Sequence, residues 1–151
     1  MKIKTIKDKQ FCEYYWGMKN LYEIGQKYNY GSGVSLHSPF TERLCKEIYK
    51  LKESKGTDFD AQNLQNQSVE IKATLKETGT TTMSKKHFDV LYWMHFNLKE
   101  DLVSIYLITG EKFRTHELYK PKFEVVKDRV SVDLGKFMDT ENLIDVFTFK
   151  K

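Results

Sequence analysis

"TDFDAQNLQNQSVEIKATL", residues 57–75, changes its period halfway along and decides how the chain is read. From Ser68 to Leu75 apolar and polar residues alternate, as a strand with one buried face requires. Val69, Ile71, Ala73 and Leu75 take one face; Ser68, Glu70, Lys72 and Thr74 take the other. Glu70 and Lys72 therefore project side by side, roughly 7 Å apart at ~3.3 Å per residue. Thr57–Ala61 reads as a shorter strand, and "QNLQNQ" as a polar turn that returns the chain beside it. Asp60 then comes to the rim of the sheet near Glu70 and Lys72.

Two carboxylates and an ammonium at a sheet rim suit specific chemistry. Hard cations such as Mg²⁺ take one or two protein carboxylates and keep water positions open. A cation held in this way polarises a phosphoryl oxygen and lowers the pKa of a bound water. The lysine orients that water or offsets transition-state charge. The plain alternative is an exposed cross-strand ion pair, worth under ~1 kcal/mol.

Upstream, the three- and four-residue steps of Phe11, Tyr15, Met18, Tyr22 and Gly25 predict a helix over roughly 7–28. "NYGSGVSLHSP", 29–39, separates it from a second helix, with Ser38 as N-cap and Pro39 at the first helical position. Phe40, Leu44, Ile48 and Leu51 form its stripe, and Lys55-Gly56 is the expected stop. Downstream, "KETGTTTMSKK" reads as a loop. Phe88–Leu98 is apolar on both faces, as in a buried central strand. Leu102–Ile108 follows as a strand after the turn "KED". "KFEVVKDRVSVDL" reads as a hairpin around Lys127-Asp128, and "DTENLIDVF" as a short helix capped by Asp139 or Thr140. The order predicts an α/β or α+β domain spanning 1–151.

At 40% hydrophobic and 14% aromatic, the 151 residues are globular in composition. The net charge of +4 alone says little, but Lys112, Arg114, Lys120, Lys122, Lys127, Arg129 and Lys136 crowd the last third. Cys12 and Cys45 form no CxxC pair, which predicts buried free thiols in a cytoplasmic protein. No apolar run approaches the ~20 residues of a membrane span. The four histidines are too scattered for a zinc site, and His95 reads as a satisfied core histidine. P-loop, GxSxG and GxGxxG patterns are absent, which leaves nucleotide-driven and serine-hydrolase chemistry without support.

Asp60 followed by Glu70-Ile71-Lys72 resembles the D…(D/E)xK signature of the PD-(D/E)xK nuclease superfamily, in particular its small type II restriction endonucleases. The resemblance runs over about residues 36–110, through "TERL", "DFDA", "VEIKAT", "GTTT", "FDVLYWMHFN" and "VSIYLI". Phe59 precedes Asp60, so the first motif reads FD where the superfamily name has PD. The resemblance implies a restriction-endonuclease-like mixed sheet flanked by helices and Mg²⁺-dependent cleavage of double-stranded DNA at a short sequence. Asp60 and Glu70 would hold Mg²⁺ and Lys72 would orient the water, with Asp58 a rival for the first carboxylate.

An acidic residue from the preceding helix also belongs to the resemblance. Position in the pattern favours Glu42, whereas helical-wheel geometry favours Glu47. Thr80, Thr81, Thr82 and Lys85 would meet DNA from the loop after the catalytic strand, and Lys127 and Arg129 from the hairpin tip. Palindromic targets call for a homodimer, with the first helix (Tyr14, Tyr15, Trp16, Tyr22) as the candidate interface. A homing or repair nuclease of the same superfamily, and a non-catalytic DNA-binding module, are the competing readings.

Overall fold

A computed structural model describes residues 1–31, 33–54, 56, 59–76, 79–84, 87–125 and 129–151. In chain order the elements are β1 (Ile3–Ile6), α1 (Lys9–Lys27), α2 (Ser38–Tyr49), β2 (Lys52–Glu53), β3 (Ala61–Gln62), β4 (Ser68–Leu75) and β5 (Thr80–Ser84). Then follow β6 (Val90–Asn97), β7 (Leu102–Thr109), α3 (Gly110–Thr115), α4 (Lys120–Val125), β8 (Arg129–Asp133), a 3-10 turn (Leu134–Phe137) and β9 (Leu143–Phe149). Seven strands form one mixed sheet in the order β1-β9-β7-β6-β4-β3-β2, and β5 pairs with β8 as a separate ribbon. This is an α+β fold of the restriction-endonuclease-like kind.

The centre of the sheet explains its composition. Alternate residues of β6 enter two different cores: Val90, Tyr92, Met94 and Phe96 on one face, Leu91 and Trp93 on the other. The first core is closed by α1 and α2 through Tyr15, Met18, Phe40 and Leu44. The second is closed by α3, the ribbon and the 3-10 turn through Phe113, Met83, Val130, Val132 and Phe137. A strand covered on both faces has no solvated side, so its continuous apolar run is required. Its neighbour β4 runs parallel to it, with Glu70 beside Leu91 and Lys72 beside Trp93.

Several boundaries and three elements differ from expectation. His37, not Ser38, is the N-cap of α2, and the helix stops at Tyr49 because Lys50 turns left-handed at φ 55°. The expected loop 76–86 contains β5, whose partner is β8. Where a hairpin was expected over 122–134, residues 120–125 are helical and β8 pairs with β5; the turn at Lys127-Asp128 lies outside the described residues. "DTENLIDVF" is not a helix: Leu143–Phe149 pairs between β1 and β7, drawn by its β-branched and aromatic residues. Asp139 does accept from the Asn142 N–H at 2.9 Å, but it caps a turn. Both cysteines are buried and free. Among the described residues no helix is long and apolar enough to cross a membrane.

Gly110 opens α3 at the end of β7, where its N–H donates to the Asp89 carbonyl at 2.8 Å. A Cβ there would run into the Phe88 carbonyl, which already accepts from Arg114 Nη1 at 2.9 Å. Neither backbone nor guanidinium can yield cheaply. Gly110→Ala should therefore cost about 1–3 kcal/mol of stability, read as a lower midpoint in urea unfolding.

Candidate active site

β3 is only two residues long and pairs Ala61 with Val69 and Gln62 with Ser68. Beyond that pairing the edge of β4 is taken up by Asp60. Its backbone N–H donates to the Val69 carbonyl at 3.1 Å, and its Oδ2 accepts the Ile71 N–H at 2.8 Å. A side-chain oxygen thus stands where the next ladder acceptor would be. This fixes the Asp60 carboxylate beside the backbone residue that separates Glu70 from Lys72.

Glu70 and Lys72 are both half-buried, on the face opposite Val69 and Ile71. That face is continued by Thr74, whose Oγ1 accepts from the Trp93 indole N–H at 2.8 Å. The polar strip is therefore closed at one end by a satisfied buried pair. At the other end Ser68 is held by Asp89, whose Oδ2 accepts from the Ser68 N–H at 2.8 Å.

Glu42 approaches from α2, on a separate element. Burial first, and then the negative charge of Asp60, push its carboxyl above the ordinary glutamate value; Lys46 and Lys72 pull the other way and Glu53 adds a further push. The same Asp60 charge adds to burial in raising the Cys45 thiol. Glu42, Asp60 and Lys72 therefore share one field. Glu47 does not: it is exposed and paired with Lys50 at 3.3 Å. The helical wheel misplaced it because the buried arc of α2 also takes in Thr41 and Cys45, which turns its centre away from Glu47.

Lys46, one turn beyond Glu42, was not singled out by sequence. Its side chain is only 15% exposed and pairs with Glu53 at 3.0 Å. The four-residue step from Glu42 was the available signal. Among the described residues no three His, Cys, Asp or Glu side chains converge tightly enough to form a metal cluster. Two carboxylate ligands remain consistent with Mg²⁺, which seldom takes a full protein cage. The residues fit such a cation in a second respect, since Asp60 and Glu42 repel each other across the site.

The threonines lie on the ribbon. Thr80 and Thr82 are exposed, while Thr81 faces the second core beside Val132. Across the ribbon Thr82 pairs with Ser131, and exposed Arg129 stands opposite Ser84. Lys85, Lys127 and Asp58 lie outside the described residues. Two cations of the last third have structural partners: Arg114 binds the Phe88 carbonyl, and Lys112 binds Asn142 Oδ1 at 2.8 Å. His95 departs from the satisfied core reading. Its Nε2 is buried without a hydrogen-bond partner among the described residues, and burial lowers its pKa.

The family model described as Bsp6I restriction endonuclease matches residues 3–131, which includes every candidate residue above. No curated protein matches the chain.

The Glu42 environment has a measurable sign. Its folded pKa lies above the unfolded one, so the folded state holds the proton longer and stability falls as pH rises through that window. Glu42→Gln removes the penalty. The variant should melt higher than wild type at about pH 7, and the gain should vanish near pH 4, where both states are protonated. Parallel melting curves at both pH values would place Glu42 outside the field of Asp60.

Proposed function

Because this chain belongs to the Bsp6I restriction endonuclease family, and so is a DNA endonuclease of the small type II kind, we propose that it cuts double-stranded DNA at a short specific sequence with Asp60, Glu70, Lys72 and Glu42 as its PD-(D/E)xK-type site. The observation that carries this reading is the Asp60 carboxylate. It is clamped to the Ile71 N–H between Glu70 and Lys72, and its charge is felt by Glu42 on another element. An isolated surface ion pair on a strand would need neither the clamp nor the helix residue.

Asp60 and Glu70 would hold Mg²⁺, which when bound polarises the scissile phosphate and acidifies a water. The chain's own groups do the rest. The Ile71 N–H keeps one Asp60 oxygen occupied, which restricts the rotation of the carboxylate. Lys72 donates to the attacking water and offsets the charge that builds on the phosphate oxygens. Glu42, with its proton affinity raised by burial and by Asp60, is suited to receive a proton from that water. The two half-buried groups on β4 sit beside Leu91 and Trp93, where a lower local dielectric strengthens their action.

The ribbon supplies the DNA contact in this reading. Its exposed face carries Thr80, Thr82, Ser131 and Arg129, three hydroxyls and one guanidinium on a two-stranded surface. Such a ribbon fits a groove, its hydroxyls donating to phosphate and its arginine to phosphate or guanine. Lys85 and Lys127 flank the ribbon in sequence. A symmetric target would be met by two copies of the chain.

Plasmid digestion tests the reading: discrete fragments with Mg²⁺, none with EDTA. Asp60→Asn and Glu70→Gln should each abolish cleavage while DNA binding without metal survives. Asparagine can still accept from Ile71 N–H, so the Asp60→Asn result isolates the charge. Lys72→Ala should lose orders of magnitude in rate at nearly unchanged affinity, because its contribution is made in the transition state. Near-normal cleavage by any of these variants would remove that residue from the site.

Arg129→Ala should reduce the slope of log affinity against log salt by about 0.9 if the guanidinium meets a phosphate. Relaxed sequence preference with unchanged slope would put it at a base edge. No change in either would move the DNA face off the ribbon.

A further inference from the structure

The first helix carries two apolar stripes, and only one of them is covered. Tyr15 and Met18 enter the first core, with Phe11, Trp16 and Tyr22 packed against it. The other stripe is Tyr14, Gly17, Leu21, Ile24 and Tyr28, at steps of three, four, three and four. Tyr14 is 38% exposed, Leu21 58%, Ile24 39% and Tyr28 55%. Steps of three and four are the seam of a two-helix pair, and a monomer gains nothing by displaying one to water. Among the described residues Tyr14 stacks on Phe40 at 4.2 Å and Tyr28 on Tyr30 at 5.8 Å, so Leu21 and Ile24 form the uncovered centre of the stripe.

The seam has a shape as well as a pattern. Gly17 has open space where a Cβ would be, with no atom within 4 Å. It lies in a hollow of about 400 Å³ lined by Tyr14, Met18, Leu21 and Val34. Four residues further along stands Leu21, the most exposed aliphatic side chain of the helix. In an antiparallel pair whose two-fold axis passes between them, Leu21 meets the partner's Gly17 and Tyr14 meets the partner's Ile24. At the centre of the seam leucine then faces glycine and tyrosine faces isoleucine. A parallel pair would set leucine on leucine and leave glycine facing glycine over a void.

The flanking charges repeat the choice. Glu13, Asn20 and Lys27 border one side of the seam at seven-residue steps. Antiparallel pairing brings Glu13 near the partner's Lys27, twice by symmetry, and Asn20 near the partner's Asn20. Among the described residues Glu13 is paired with Lys9 at a long 3.9 Å, with both side chains mostly exposed. A surface complementary to its own two-fold image is what an isologous interface requires.

We propose that α1 is the two-fold interface of a homodimer, packed antiparallel on the same helix of a second copy through Gly17 and Leu21. This gives the two-copy reading above a named surface, and it rests on that reading only for its purpose, not its geometry. Of the expected interface residues Tyr14, Tyr15, Trp16 and Tyr22, the last three serve the core and Tyr14 lies on the seam.

Sedimentation equilibrium without DNA or metal tests the interface apart from any nuclease activity. Wild type should be dimeric at micromolar concentration. Leu21→Glu should be monomeric, weakening association at least about a hundredfold, with an unchanged circular dichroism spectrum because the side chain is exposed. Glu13→Lys and Lys27→Glu should each weaken association about tenfold at low salt, and the double variant should restore it. Asn20→Cys should form a disulfide-linked dimer on mild oxidation, the native thiols being buried. A monomeric wild type, or a dimer indifferent to Leu21→Glu and to the charge reversals, would overturn the proposal.

Discussion

The structure depends on the burial of β6 from both sides. A strand with no solvated face needs two layers, and everything else in the chain supplies them. The helices α1 and α2 close one side, and the ribbon, α3 and the 3-10 turn close the other. Because β4 runs parallel to β6, it cannot follow by a tight turn; the crossover between them carries β5 into the second layer. The strand with the charged residues is thereby held one position from the centre of the sheet. It is buried enough for Glu70 and Lys72 to be shielded, and near enough the edge for Asp60 and Glu42 to reach the same place.

Elements whose neighbours lie close in sequence were legible. The bounds of β4 are as expected and its alternation holds through Lys72, after which Thr74 is buried and Ala73 and Leu75 only partly so; the turn at 62–67 returns the chain as expected. The doubly apolar run at β6 and the strand at β7 are local patterns too. What was not legible depends on distant partners. β5 reads as a loop because a threonine-rich segment becomes strand only when β8, some fifty residues on, is there to pair. β9 has polar residues at its start that imitate a helix cap, and nothing nearby reveals that β1 and β7 will flank it.

The candidate site divides along the same line. Asp60, Glu70 and Lys72 are brought together by one short hairpin, so strand period and turn length suffice to bring them near each other. The Ile71 N–H contact to Asp60 was invisible, because it requires knowing that β3 stops after two residues. Glu47 faces inward on a wheel built from Phe40, Leu44, Ile48 and Leu51, but the buried arc of α2 also takes in Thr41 and Cys45 and leaves Glu47 exposed. The end of that helix was no more readable, since Lys50 takes a left-handed conformation that favours glycine and asparagine. His95 shows a third kind of miss. Its position in the core was readable, but whether a buried imidazole finds partners depends on atoms from three strands.

The parallel pairing of β1 with β9 joins the two ends of the described chain. Ile3 lies beside Val146, so this edge cannot assemble until β9 has been made. Trp16 donates to the Lys150 carbonyl at 2.9 Å, and Tyr15 stacks on Phe149 at 4.1 Å, so α1 also waits for the last strand. Contacts spanning such sequence separations slow the folding search. During synthesis the nascent chain therefore carries β4 and its charged strip well before the first helix has a surface to rest on. A DNA-cutting protein built in this order acquires its polar strip early and the strand that seats its first helix late.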